Sequence, residues 1–476
     1  MASLSSPSTA RTSCGSYGPM ASVQVLLSSL HDSQRALASP DVCRSTLHDL
    51  VTVCRYDEVR YELINRDGLD VLAHLAAAAE NHTGLLDVAE SLLELLMLLA
   101  CDRHQNARAK VAEKPSLLVF PLVSLRLFAT RKPSKKRKFY MHTALELVEQ
   151  LSFTEPSRRV HFRDQLVSTL LHVLENPNDD HGVLQHVADM LAGVMEAQCG
   201  SIHAAAKFNA IPTLLRLLTT PNDHAEVRQS ACIALLVIAS ASELVPMIMA
   251  NGAIHAIAEC LRLRNVNKGV EGAVLRLLLR LCDESQVYGQ LIQEDLIPTI
   301  FQALEKSINN VDVTRSSCRI LEGVANFARS CKLDLSPFFH GEKTPKCRGS
   351  VLVQSISTYS QEYALVAAGF RFFGHVVHNP VELPFMIDSE VIEGLLALYI
   401  VHCGSSLGSA TTALSDHLVT IFTQLSRTAI DKFCLHHEDQ SLPALFLCLR
   451  SHIKDLGFTR VVFAIMKRHW GLQNPT

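Results

Sequence analysis

The segment NAIPTLLRLLTTPNDHAEVRQSACIALLVIAS, residues 209 to 240, reads as two amphipathic helices that lack a partner for their apolar sides. Leu214, Leu215, Leu217 and Leu218 follow Pro212, a residue tolerated in the first turn of a helix because its missing N–H would be unpaired there anyway. The run stops at the turn cluster Thr219, Thr220, Pro221 and Asn222. Asp223 with Glu226 then fits a capping box, and Val227, Ala231, Ala234, Leu235 and Ile238 form one apolar stripe at helical spacing. The pattern returns at Gly252, Ala253 and Ile254, followed by Ile257 and Leu261, and again at Leu296, Ile297 and Pro298, followed by Ile300, Phe301 and Leu304. Ile211, Ile254 and Ile297 stand 43 residues apart. Equivalent positions fall at Leu69, Val119 and Val167 upstream and at Val351, Ile392 and Leu442 downstream, in steps of 41 to 54 residues. A period of about 40 to 47 residues with two or three helices per unit marks a helical solenoid. Each unit buries its stripe on the next, so the core runs lengthwise.

Composition agrees with that reading. Of the 476 residues 48% are hydrophobic, enough for a continuous core, and the formal net charge is −3. A dedicated nucleic-acid binder would carry a strongly basic face. The fourteen cysteines include no C-x-x-C pair. Cys232, Cys260, Cys282 and Cys448 sit at stripe positions, which suits reduced thiols packed as small hydrophobes in a reducing compartment. The most apolar window, GLLDVAESLLELLMLLA, places Asp87, Glu90 and Glu94 on one helical face, so it reads as an amphipathic inner helix rather than a membrane span. The Ser-rich start has no acid before Asp32 and a single cation, Arg11, before Arg35. It fits a disordered tail, with a transit peptide as the alternative.

The strings GAIHAIAECL, AIPTLLRLL with EVRQSACIAL, and GVANFA (residues 323 to 328) resemble the armadillo repeat, whose pattern runs Gly-Ala-Ile-Pro, leucines, Glu-Val, and Ala-Leu-x-Asn-Leu-Ala. The match is good over residues 205 to 330 and degenerate, HEAT-like, outside them. The resemblance implies an all-α, right-handed α-solenoid of about nine armadillo-like repeats whose third helices line a groove for protein partners. The expected division is a tail over residues 1–20, capping helices over 21–55, repeats over 56–470 with inserts at 131–138 and 331–350, and a tail over 471–476.

In peptide-binding members the third helix presents a tryptophan and, four residues on, an asparagine. The tryptophan stacks on a lysine stem and the asparagine clamps the extended peptide backbone. Transferred here, those positions fall on Glu146 and Gln150, Asp189 and Gly193, Ile233 and Val237, Arg276 and Arg280, Glu322 and Asn326, Arg371 and His375, and Thr420 and Gln424. Only Asn326 keeps the family's residue, and the sole tryptophan is Trp470, which speaks against an import-adaptor mode of binding. The ladder is acidic at first, apolar in the middle and basic later. That order suits a protein partner with an apolar anchor and acidic residues beyond it, held by arginine pairs.

The run RKPSKKRK, residues 131 to 138, carries six basic residues in eight and is expected in an exposed loop. Lys135, Lys136, Arg137 and Lys138 fit a nuclear import signal, an anion-binding patch or a solvated loop. Two catalytic candidates fail on context. GSSLG at 404 to 408 would need Ser406 on a strand-to-helix elbow over a parallel sheet, and this chain has helical periods instead. The cluster CLHHED at 434 to 439 would splay its adjacent histidines about 100° apart on a helix and has no second metal-ligand pair nearby. The sequence therefore predicts a non-catalytic scaffold or adaptor with no cofactor, no membrane contact and no dedicated nucleic-acid binding. It is expected in the cytoplasm, with the nucleus admitted by the basic run. The alternative is a structural subunit of a large assembly.

Overall fold

The computed structural model describes residues 19–31, 39–65, 67–80, 86–101, 107–152, 160–176, 180–198, 200–220, 224–263, 267–335, 348–378, 389–403, 409–428, 438–451, 458–460 and 462–463. Among them every regular element is a helix. Each of the nine sequence-derived repeat positions falls inside one. Val119 is half-exposed between buried Leu118 and Phe120, so its assigned register is one residue off the stripe.

Packing divides the chain into two compact units, with the boundary along the chain between Thr213 and Leu214. In the first, the inner helices Pro40–Val53, Leu86–Ala100, Lys135–Ser152 and His181–Ala197 stack in chain order, one per repeat. Beside them Gly68–Glu80, Pro115–Ala129 and Val160–Leu174 form a second row. Leu47, Leu92, Leu96, Leu145, Val148 and Leu191 are buried between these rows.

The second unit repeats the plan. Its inner row is Ala225–Ala239, Lys268–Leu281, Val311–Cys331, Tyr363–Val376 and Ser409–Thr428, each packed on the next. The outer row is Ala253–Arg262, Leu296–Lys306, Arg348–Thr358, Ser389–Cys403 and Glu438–Ser451. Some inner helices are started by side chains that accept the first free backbone N–H groups. Asn267 accepts from the Val270 N–H at 2.8 Å, and Asn310 from those of Asp312 and Val313 at 3.1 and 3.3 Å. The proposed capping pair at the start of Ala225–Ala239 is not described, because Asp223 lies outside the described residues.

Two features carry the 43-residue echo into the backbone. The residue ahead of the helices Ala210–Thr219, Ala253–Arg262 and Leu296–Lys306 turns left-handed, at Asn209 (φ 61°), Gly252 (φ 79°) and Asp295 (φ 51°), again 43 residues apart. Asparagine and aspartate enter that region more readily than other side chains, so they replace the armadillo-type glycine at the same turn. Side-chain links also span about one repeat. Arg44 donates to Asp87 at 3.1 Å, Lys138 to Asp180 at 2.8 Å, and Arg315 to Glu362 at 2.9 Å.

The insert expected at 131–138 is a loop only to Ser134; from Lys135 onward it is helix. Most of the insert expected at 331–350 lies outside the described residues. No single helix among the described residues is long and apolar enough to cross a membrane.

Leu235 on Ala225–Ala239 has no exposed surface. Leu235→Ala is expected to lower the unfolding free energy by about 2 to 5 kcal/mol, the cost of lost burial plus a cavity, as measured by urea denaturation.

Candidate functional site

The exposed face of the inner helices in the first unit is acidic and histidine-bearing. Glu146 and Asp189 are exposed, and Gln150 and Gly193 half-exposed, on Lys135–Ser152 and His181–Ala197. Between these two helices the His142 and His186 rings stack at 6.2 Å, and His186 Nε2 lies 3.5 Å from Glu149 Oε2. Burial, with the nearby His186 and Lys138, holds His142 below the ordinary histidine value. Toward the preceding repeat the Tyr140 hydroxyl donates to Glu94 at 3.1 Å.

The basic run is divided by that packing. Ser134 caps the helix, its Oγ accepting from the Arg137 N–H at 3.0 Å. Arg137 is buried and donates to the Phe128 and Ala129 carbonyls at the end of Pro115–Ala129. Lys136 lies 2.6 Å from the buried carboxylate of Glu90 and 3.5 Å from Asp87. Burial still raises the pKa of Glu90, with the Lys136 hydrogen bond working in the opposite direction. Lys138 pairs with Asp180. Four cations in a first turn oppose the helix dipole. Acids from the repeats on either side, Asp87, Glu90 and Asp180, compensate.

In the second unit a cavity of about 520 Å³ opens between Lys268–Leu281 and Val311–Cys331. Arg276, Arg280, Glu322 and Asn326 line it, so two successive rungs of the sequence-derived ladder meet in one place. Two further lining residues, Arg319 and Tyr288, are absent from that ladder. Tyr288 comes from the short helix Gln286–Gln293 and lies over Gly323, where a Cβ would collide with its ring. Burial first, and then Cys282 and Asp283, push the Tyr288 hydroxyl up to about 12, so it remains a donor at neutral pH.

The charges around this cavity have different duties. Arg280 donates from Nε to the Ala239 carbonyl at 2.9 Å and from Nη2 to the Ser240 carbonyl at 3.3 Å, and it also pairs with Asp283. It caps the C-terminus of the preceding inner helix, where carbonyls lack partners. Arg371 grips Glu322 through Nε and through Nη2, the latter at 3.2 Å. Arg276 and Arg319 are exposed and form no ion pair among the described residues. The arginine pair expected to act together is therefore split, with Arg276 facing solvent and Arg280 tied into the fold.

The other rungs are mixed. Ile233 is half-exposed, but Val237 is 8% exposed, so the expected apolar step is one residue wide. Thr420 and Gln424 are half-exposed on Ser409–Thr428. Arg371 and His375 lie beside His417, whose ring packs against Gly374. Ser406, Trp470 and the histidines of the 434–439 cluster lie outside the described residues. Among the described residues no group of three or more His, Cys, Asp or Glu is placed to hold a metal ion. Arg319 sits three residues before Glu322, one helical turn along the same face, and that spacing is the signal a two-position ladder omits.

No protein-family profile matches the sequence, and no curated protein matches it. Similarity appears among solved structures. One from work on the interaction between cadherin and beta-catenin superposes with a TM-score of 0.55 at 13% identity, covering 96% of this chain and 84% of that one. A structure of SYS-1 gives a TM-score of 0.47 at 9% identity over 95% of this chain and 99% of that one. The first likeness carries the fold and nothing finer; the second is too low to add to it. The chain has an armadillo-like helical repeat fold.

His375, His378 and His417 are each held below the ordinary histidine value, first by burial and then by arginines, Arg329 for His375 and His378 and Arg371 for His417. Arg329 approaches His375 Nδ1 at 3.4 Å, which fits a neutral ring accepting there. Glu322 and Asp416 act in the opposite direction. The unfolded chain binds these protons more tightly, so the folded state is favoured above the ordinary histidine value and loses that advantage as pH falls through the lowered folded values. Melting temperature is expected to drop on acidification below about pH 6.5, and less steeply in His417→Asn.

Proposed function

We propose that this chain is a non-catalytic protein-binding scaffold that holds an acidic, extended segment of a partner on the exposed face of the inner helices of its second unit. One observation carries the reading. Arg276 and Arg319 face the 520 Å³ cavity without ion pairs among the described residues, while the acids beside them are engaged by Arg280 and Arg371. Exposed guanidinium groups offer carboxylates bidentate hydrogen bonds. The Asn326 amide adds a neutral donor at the same place. Ile233, on the preceding inner helix, is the apolar contact for an anchoring side chain, with the acidic residues of the partner lying toward Arg276 and Arg319. The fold likeness supports a binding role, since the structure concerned comes from work on cadherin and beta-catenin interacting. Buried free thiols at Cys232, Cys260 and Cys282 fit a reducing compartment.

The test uses a synthetic peptide bearing one leucine followed by a run of glutamates. Arg276→Glu with Arg319→Glu is expected to weaken its capture by roughly tenfold or more, the loss of charge-assisted hydrogen bonds, with no change in melting temperature. Arg280→Glu is expected to lower the melting temperature, because it removes a helix cap. Capture by the double variant at the wild-type level would refute the proposal.

A further inference from the structure

Three cations of the basic run have no ion pair among the described residues. Arg131, Lys132 and Lys135 are exposed, whereas Arg137 is buried and Lys136 and Lys138 are paired. The end of an 18-residue helix lies beside them, with the partial positive charge of its N-terminus. One turn beyond Lys135 on the same face stands Phe139, 56% exposed and held edge-on against Tyr140 at 5.2 Å between ring centres. An exposed phenylalanine beside cations without ion pairs among the described residues puts an apolar and a charged contact at one place.

We propose that residues 131–139 form a peripheral docking site for an anionic lipid surface, with Arg131, Lys132 and Lys135 at the headgroups and Phe139 in the acyl boundary. A polybasic patch attracts anionic headgroups, and an apolar anchor supplies the second contribution that charge alone lacks. The same geometry weighs against a nuclear import signal. Reading this run as an extended peptide would require unwinding the first turn, pulling Arg137 off the Phe128 and Ala129 carbonyls and breaking the Lys136–Glu90 and Lys138–Asp180 pairs. It also weighs against single-stranded nucleic acid, which calls for successive aromatic platforms along a basic groove. Here Asp87, Glu90 and Asp180 flank the patch and bound it on both sides. The expectation of no membrane contact rested on the lack of a spanning segment; peripheral docking needs none.

Sedimentation of the full chain with phosphatidylcholine vesicles, with and without phosphatidylserine, tests this independently of the second-unit site. The chain is expected to bind only the anionic vesicles and to be released by high salt. Arg131→Gln with Lys132→Gln and Lys135→Gln is expected to weaken binding about a hundredfold, near fivefold per cation, and Phe139→Ser several-fold. Unchanged melting temperatures in both variants would show that the fold is intact. Absent binding to anionic vesicles, equal binding to neutral ones, wild-type binding by the triple variant, or retention by duplex DNA alone would each overturn the proposal.

Discussion

Burial of each repeat's apolar stripe on its neighbours is the constraint on which everything else in this protein depends. A helix pair such as Ala210–Thr219 with Ala225–Ala239 has too little interior of its own. Leu235, Leu275, Leu278 and Leu321 reach full or nearly full burial only because the next inner helix lies against them. Area removed from water at each junction offsets the chain entropy lost in ordering it. The polar chemistry follows the same period. Arg280 caps the helix that ends at Ala239, Gln198 donates to the Ser152 carbonyl at 3.1 Å, and Asn176 donates to the Ala129 carbonyl at 2.9 Å. A helix end in one repeat is thus completed by a side chain from the next.

That dependence sorts the charged residues. Several charged side chains that the sequence offers to a partner are already committed between repeats. Glu322 holds Arg371, Arg280 holds carbonyls, and Lys136 and Lys138 hold acids on either side. At the two candidate sites the cations left without an ion pair among the described residues are few. Arg276 and Arg319 stand in the second unit, and Arg131, Lys132 and Lys135 in the first. Binding is argued from these leftovers, because a paired charge must be released before it can serve a ligand.

The fold was legible because periodicity is a property of the chain itself. Ile211, Ile254 and Ile297 marked the repeat, and the structure places them at the starts of three equivalent helices. The site was less legible. Groove positions four residues apart identify a helix face but not its edges, so Val237 turned inward and Arg319 went unnoticed. Arg137 looked like part of a solvated run, yet its burial depends on two carbonyls left free where Pro115–Ala129 ends. Tyr288 reaches across Gly323 from a different helix, a contact that neither local sequence contains.

Hydrogen exchange across the intact chain in a series of low urea concentrations tests the neighbour-dependent core most directly. The account predicts graded protection, with slowest exchange in Lys268–Leu281 and Val311–Cys331, which have an inner helix on both sides, and faster exchange in Pro40–Val53 and Glu438–Ser451. A single protection level lost throughout the chain at one urea concentration would contradict it.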